Sequence, residues 1–261
     1  MADKKEELYH HIVGGRKFLE LALSVMKTEG QRRPIGIILD AGCGSGNLCR
    51  AMAEAGYQAV GVDISACAIE EAKKLAAGLS AEFVQADITA WNETRRFDAV
   101  TFTYALEHIP DPVQALAQIK RLTKPQGVVL IAIPNGHGPY EIFSLIPKKL
   151  GLARRLRPFF INDPLVRKML AGFSSNFEDN PHLHYFSLNK AVELFLRTGF
   201  EVERYYKVGS FLLALHLPVV NRILQRRRAF EFFDRLDGVF SKLLPARLAA
   251  GWLFVLRPGK K

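Results

Sequence analysis

The sequence predicts an α/β fold, a doubly wound and mostly parallel sheet, from three observations. Continuous apolar runs of strand length alternate with amphipathic helix-length segments through the first half of the chain. The helices carry their own start and stop signals. A loop with three glycines, "AGCGSG" (41–46), follows the first apolar run and opens directly into a helix. Such βα alternation builds an open parallel sheet that binds ligands beyond the carboxyl ends of its strands.

In chain order, an amphipathic segment from about Glu6 to Lys27 forms the first helix. "IGIILDA" (35–41) is a continuous apolar run, the pattern of a strand buried on both faces. "NLCRAMAEAG" (47–56) is a helix stopped by Gly56, and "QAVGVDIS" (58–65) is the second strand. Ser65 stands where its hydroxyl can cap the next helix, "ACAIEEAKKLAAG" (66–78). "AEFVQADI" (81–88) and "RFDAVTFTYA" (96–105) are the third and fourth strands. The helix in "DPVQALAQIKRLTKPQG" (111–127) has Pro112 in its first turn and ends before Pro125, ahead of a fifth strand, "VVLIAIPN" (128–135).

Composition excludes several classes. At 261 residues, with 49% hydrophobic and 24% charged residues, the chain is neither disordered nor fibrous. It carries 15 Lys+Arg against 16 Asp+Glu up to Gly138 and 21 against 10 beyond it, so the excess positive charge belongs to the second half. The start, "MADKKEEL", lacks the apolar stretch of a secretory signal. The longest apolar run, "FLLALHLPVV" (211–220), contains Pro218 and falls short of the ~20 residues that span a bilayer. Cys43, Cys49 and Cys67 form neither an even disulfide set nor a CxxC pair, the usage of a reducing compartment, so a cytoplasmic location is expected.

The glycine loop fits neither common phosphate cradle. A dinucleotide fingerprint wants G-x-G-x-x-G/A, but Asn47 or Cys49 stands at the third position, and the Gly-Lys-Ser/Thr of a P-loop is absent. Asp40, two residues before Gly42, would repel a pyrophosphate and favour a cation.

"LDAGCGSGN", "GVDIS", "QADI", "FDAVTFTYALEHIPDP" and "LTKPQGVVLIAIPN", in that order across 35–135, resemble the class I S-adenosylmethionine-dependent methyltransferases, whose fold is Rossmann-like. The resemblance implies S-adenosyl-L-methionine as cofactor. Asp40 suits its ammonium and sulfonium charges, while Gly42, Cys43, Gly44 and Gly46 bring backbone against its methionine portion. Asp63, at the end of the second strand, would accept hydrogen bonds from both ribose hydroxyls. Ile64 and Ile88 would sandwich the adenine and Asp87 would take its exocyclic amine, unless Asp87 is a plain turn residue. Thr103 would offer backbone to the methionine ammonium.

"LEHIPDP" resembles the small-molecule branch of the family, including ubiquinone-pathway O-methyltransferases. Some of those hold a divalent metal with E-x-x-E-H. Here Tyr104 replaces the first Glu, so no metal is expected. The candidates for a general base are His137, His182 and His184; alternation places the last two on one face of an extended segment. Packing competes as the role of each, and Gly136 and Gly138 around His137 read as a mobile turn. His108 reads equally well as an anchor for the loop before Pro110. Neither the Asn/Asp-Pro-Pro-aromatic stretch of base-amine enzymes nor a Pro-Cys nucleophile is present.

In the family pattern the core continues through a helix ("SLNKAVELFLRTG", 187–199), a strand ("FEVERYYKV", 200–208) and a last strand ("AAGWLFVLRP", 249–258), seven strands in all. The organisation expected is a single methyltransferase domain over 1–261. It comprises an N-terminal helical cap (1–34), a cofactor-binding core (35–138) and two helical basic insertions (139–181 and 209–247). The insertions read as lids with a solvated basic face, as interfacial elements on anionic membrane, or as a nucleic-acid surface that no motif supports. The expected activity is methyl transfer to a small-molecule or lipid-like acceptor, most naturally at oxygen, by an enzyme of the cytoplasm, peripheral to the inner face of a membrane if the interfacial reading holds. A cofactor-binding module without turnover and an RNA methyltransferase stand as alternatives.

Overall fold

The structure, a computed structural model, describes residues 15–138, 182–208 and 243–259. Both basic insertions, 139–181 and most of 209–247, lie outside them, as do residues 6–14 of the expected first helix. Helix α1 (Gly15–Arg32) continues five residues past the expected stop. Its last turns are held by charge: Glu29 pairs with Arg32 at 3.3 Å on the same helix.

Seven strands form one sheet in the order β3-β2-β1-β4-β5-β7-β6. They are β1 (Ile37–Ala41), β2 (Gln58–Asp63), β3 (Ala81–Gln85), β4 (Phe97–Thr103), β5 (Thr123–Pro134), β6 (Phe200–Val208) and β7 (Gly251–Pro258). From β3 across to β5 each pairing is parallel. The strand order reverses at β1, which lies between β2 and β4, and that reversal opens a crevice at the carboxyl ends of β1 and β4. Helices α2 (Asn47–Glu54), α3 (Ala66–Leu75), α4 (Pro112–Leu122) and α5 (Leu188–Arg197) alternate with the strands.

Local chemistry sets the boundaries. Ser65 Oγ accepts from Ala68 N at 3.3 Å and caps α3 as its position predicts. Asp111 Oδ1 accepts from Val113 N and Gln114 N at the start of α4, with Pro112 in the first turn. Strand β5 begins earlier than its apolar run, at Thr123, where a register shift against β4 falls between Phe97 and Ala99.

The described residues fall into two compact units. The larger takes Lys17–Ile133, Asn189–Tyr206 and the chain from Leu253; the smaller takes Pro134–Leu188 and Lys207–Trp252 where these are described. In the larger unit the core is aliphatic and aromatic, with Ile38, Leu39, Val100, Phe102, Leu116 and Leu130 fully buried. Phe195 of α5 meets Phe254 of β7 edge to face at 5.0 Å.

At the amino ends of β1 and β4, Asp98 Oδ2 accepts the amides of Gly36 and Ile37 and Oδ1 accepts Lys124 Nζ at 2.6 Å. Glu29, 1% exposed, is gripped by Arg204 and Arg257. Burial opposes its ionisation, but Arg204, Arg257 and Arg32 outweigh that and hold its carboxyl below the ordinary range. A cavity of about 430 Å³ at this end is lined by Glu29, Arg33, Asp98, Lys124 and Arg257, whose cations are already engaged by carboxylates or backbone carbonyls. The glycine loop lies at the opposite ends of the strands.

Candidate active site

The loop after β1 is built on left-handed backbone: φ is 66° at Gly42, 53° at Gly44 and 77° at Gly46, a region costly for side chains with a Cβ. The reason for glycine differs along it. A Cβ at Gly42 would come within 2.8 Å of Ala105 Cβ, and one at Gly46 within 2.7 Å of the Phe83 ring. A Cβ at Gly44 would meet nothing within 4 Å, so the chain itself requires only the conformation there. The Phe83 ring also underlies Gly61 of β2, where a Cβ would come within 2.7 Å of it. Cys43 N donates to Val62 O at 3.0 Å and Gly46 N to Cys43 O at 2.9 Å, which ties the loop to β2 and closes its turn. Burial pushes the thiols of Cys43 and Cys49 upward, so neither is a nucleophile.

Two carboxylates face this loop with opposite environments. Asp40 is 2% exposed. Its Oδ1 accepts Thr101 Oγ1 at 2.7 Å, yet burial, reinforced by the charge of Asp63, pushes its pKa up to about 7. Asp63 is half-buried; Oδ2 accepts Gly44 N at 2.8 Å and Oδ1 accepts Ser65 N at 2.9 Å. Each oxygen keeps a second lone pair for a hydroxyl.

Beside Asp63, Ile64 is 69% exposed, an apolar side chain presented at the strand tip, while Ile88 is buried in the turn after β3. Asp87 Oδ1 accepts both Thr89 N and Thr89 Oγ1 at 2.8 Å, so one oxygen serves the turn. Thr103, half-buried, ends β4 opposite Ala132 of β5. Next to it stands Tyr104, at φ 53° the one residue other than glycine with positive φ among the described residues. Its amide donates to Ala132 O at 2.8 Å and its ring meets Phe18 of α1 edge to face at 5.3 Å. Burial and the nearby Glu107 carboxylate push its hydroxyl upward, so it stays protonated. Glu107 and His108 lie in a short 3₁₀ turn with His108 Nε2 4.0 Å from Glu107 Oε1.

The three candidate histidines belong to the smaller unit. Asn135 organises it: Nδ2 donates to Arg247 O and Ala249 O, and Oδ1 accepts His137 N at 3.1 Å. Gly138 N donates back to Asn135 O, and Gly136 N to Phe186 O at 2.9 Å. The turn around His137 is therefore pinned rather than mobile. Gly136 is demanded by closeness, since a Cβ there would come within 2.6 Å of Tyr185 Cα. This brings the 182–186 segment alongside exposed His137. His182 and His184 alternate with exposed Leu183 and Tyr185, as the extended reading expects. His184 stacks on Phe186 at 5.8 Å and His182 meets Tyr185 at 6.1 Å, so both also have packing roles.

Sequence reasoning did not find Tyr104 as strained, the Thr101 contact of Asp40, or Asn135. Only the last carried a signal, an Asn directly before Gly-His-Gly.

Comparison with known proteins agrees with the fold. Residues 15–205 match the family model described as a methyltransferase domain. The chain is 37% identical over 122 residues to a ubiquinone biosynthesis O-methyltransferase of Alkalilimnicola ehrlichii, covering 45% of this chain and 47% of that one. It is 39% identical over 106 residues to the Actinobacillus pleuropneumoniae protein of the same name, covering 38% and 45%. The chain thus spans about half the length of these relatives. Among solved structures, the magnesium protoporphyrin IX methyltransferase of Synechocystis with bound S-adenosylhomocysteine superposes with a TM-score of 0.58 at 14% identity, over 94% of this chain and 84% of that one. An S-adenosylmethionine-dependent methyltransferase of Mesorhizobium loti gives 0.52 at 17% identity, over 85% and 92%. These likenesses show the shared fold. By the match over 15–205, the chain belongs to the methyltransferase-domain family.

Proposed function

We propose that the protein binds S-adenosylmethionine at the β1/β4 crevice and transfers its methyl group to a hydroxyl of a small-molecule or lipid-like acceptor. The observation that carries this reading is the pairing of a left-handed glycine loop, open at Gly44, with Asp40 behind it and Asp63 beside it. A phosphate ligand would meet two carboxylates there. A ligand with a cationic head and a ribose meets complementary groups.

When bound, the cofactor would supply an electrophilic methyl on a sulfonium, together with a neutral thioether leaving group once that methyl has passed in line to the acceptor oxygen. The chain's own work is alignment. Asp63 takes the ribose hydroxyls while keeping the loop in register through Gly44, and Ile64 and Ile88 flank the adenine. Asp87 offers the carboxylate oxygen its turn does not use, and Thr103 backbone faces the ammonium. Asp40, ionised on binding, balances the positive charge. The acceptor proton goes to a base drawn from His137, His182 and His184. Support for oxygen as the acceptor atom comes from the relatives named as O-methyltransferases. Incubation with methyl-labelled cofactor and cell extract, then partition of the label among lipid, small-molecule, RNA and protein fractions, tests the reading; label in RNA or protein but in neither of the other fractions would overturn it.

A peripheral membrane location is a second proposal, supported by the 21 Lys+Arg against 10 Asp+Glu beyond Gly138. No helix among the described residues is long and apolar enough to cross a membrane. Each basic side chain near an anionic surface contributes ~1 kcal/mol. Flotation with anionic liposomes, lost when Arg226, Arg227 and Arg228 are changed to Gln, is the expected result; absence from anionic and neutral liposomes alike rejects it.

A further inference from the structure

We infer that Thr101 is a positioning residue for Asp40: its one hydroxyl hydrogen turns from Leu39 O to Asp40 Oδ1 when Asp40 ionises, which lets a buried acid take up a cationic head group. The inference rests on the methyl-transfer reading and adds to it a residue that acts through Asp40. Sheet register creates the contact. Asp40 of β1 is paired with Gly61 of β2 on one side and with Thr101 of β4 on the other. Gly61 offers no side chain, and the space its Cβ would need is held by the Phe83 ring and Cys43 Sγ. Thr101, fully buried, is therefore the side chain that meets Asp40 along the sheet. Among the described residues it is the one side-chain hydrogen-bond donor to that carboxylate.

Thr101 Oγ1 stands 2.7 Å from Asp40 Oδ1 and 3.3 Å from Leu39 O, but a hydroxyl carries one hydrogen and donates it to one of them at a time. With Asp40 ionised, the short contact takes the hydrogen, and the bond to a charged acceptor is the stronger of the two. With Asp40 protonated, its own O–H can donate across the same contact while the Thr101 hydrogen turns to Leu39 O. Rotation of a single O–H bond thus satisfies both protonation states. The other surroundings mostly oppose charge. Burial, the largest influence, and the Asp63 carboxylate disfavour the ionised form; Thr101 and, more weakly, the Cys49 amide of α2 favour it. The Cys43 and Cys49 thiols, also beside Asp40, are held protonated by burial and add no charge. Removing the Thr101 hydroxyl leaves the ionised carboxylate with the weaker of its two donors.

The test uses Thr101→Val, which keeps the β-branched shape and loses the hydroxyl, and Thr101→Ser, which keeps the hydroxyl. In the ligand-free protein, carboxyl carbon NMR of aspartate-labelled samples follows the titration of Asp40, its signal assigned through Asp40→Asn. Thr101→Val should move the midpoint up from about 7 by about one to two pH units, the worth of one hydrogen bond to a charged group, and Thr101→Ser should leave it in place. Calorimetry then measures S-adenosylmethionine affinity from about pH 6 to about pH 9, where the ligand's own titration cancels in the ratio of wild type to variant. Thr101→Val should bind about tenfold more weakly or worse at pH 6, yet within about twofold of wild type at pH 9, with Thr101→Ser following the wild type throughout. A merely structural defect would cost the same at every pH. Such a uniform loss, an unmoved Asp40 midpoint in Thr101→Val, or a Thr101→Ser that behaves as Thr101→Val overturns the inference. A midpoint that moves as expected in a protein that binds no S-adenosylmethionine at any pH overturns the methyl-transfer reading and leaves the coupling of Thr101 to Asp40 standing.

Discussion

Asp63 Oδ2 accepts the amide of Gly44 at 2.8 Å, so the carboxylate proposed to hold the ribose also sets the loop proposed to hold the methionine portion. Replacing Asp63 by Ala should therefore act twice. Two charge-assisted hydrogen bonds at roughly 1.5–3 kcal/mol each give a loss on the order of a hundredfold or more in S-adenosylhomocysteine affinity. Asp63→Asn, which keeps one acceptor oxygen but turns an NH₂ toward a backbone N–H, should lose at least tenfold. Calorimetry with unchanged affinity in both variants would falsify the assignment.

Cofactor affinity should rise with pH through about 7. In the free protein Asp40 titrates there, and a cation favours its ionised form, so binding releases protons below that pH. The stability of the free protein should move the other way. The folded pKa lies above the unfolded value, so the folded state holds the extra proton. This contribution is fully present below about pH 4 and is lost as pH rises through about 7. Asp40→Asn should flatten both profiles, read by calorimetry in buffers of different protonation enthalpy and by thermal melts.

Gly44→Ala should separate conformation from occupancy. The fold loses about 1 kcal/mol for a Cβ at positive φ and nothing for crowding, since no atom lies within 4 Å. Affinity for the cofactor should fall by more than tenfold, because the new methyl enters the proposed binding space. Gly46→Ala should do the reverse, lowering the melting temperature through its 2.7 Å approach to Phe83.

Among His137→Ala, His182→Ala and His184→Ala, one should lower turnover by roughly 10²–10⁴ with cofactor affinity intact. His184→Ala should also cost stability through its stack on Phe186. Normal rates in all three single variants would show that alignment suffices and that the acceptor arrives ionised.

Glu29→Gln should destabilise the protein by about 1–3 kcal/mol while leaving cofactor affinity unchanged, because Arg204 and Arg257 lose their buried carboxylate at the sheet end remote from the loop and keep Glu203 as their ionic partner. Chemical denaturation checks the first part and calorimetry the second.

The sheet was legible because its strands are short, apolar and punctuated. "IILDA" and "VTFT" are buried on both faces, and Ser65 and Asp111 mark helix starts by chemistry that acts within three residues. What escaped was non-local. The end of α1 depends on Glu29 meeting Arg204 and Arg257, partners 175 and 228 residues away, which no window of sequence contains. The loop "NGHG" read as mobile from its glycines, whereas Asn135 and the crossing of Tyr185 make those glycines obligatory. The residues proposed for the cofactor stand out in the sequence as a series at successive strand ends. Tyr104 does not, since only the fold reveals its backbone.

The ring of Phe83 occupies the space that β-carbons at both Gly46 and Gly61 would need. Gly61, which is not in the left-handed region, could accept Ala once residue 83 is smaller and Cys43 Sγ shifts; with Phe83 in place the same change puts carbon 2.7 Å from carbon. Sequence drift under the loop therefore has a direction in time: position 83 must change before position 61, and a lineage that tries the opposite order meets a poorly folded intermediate.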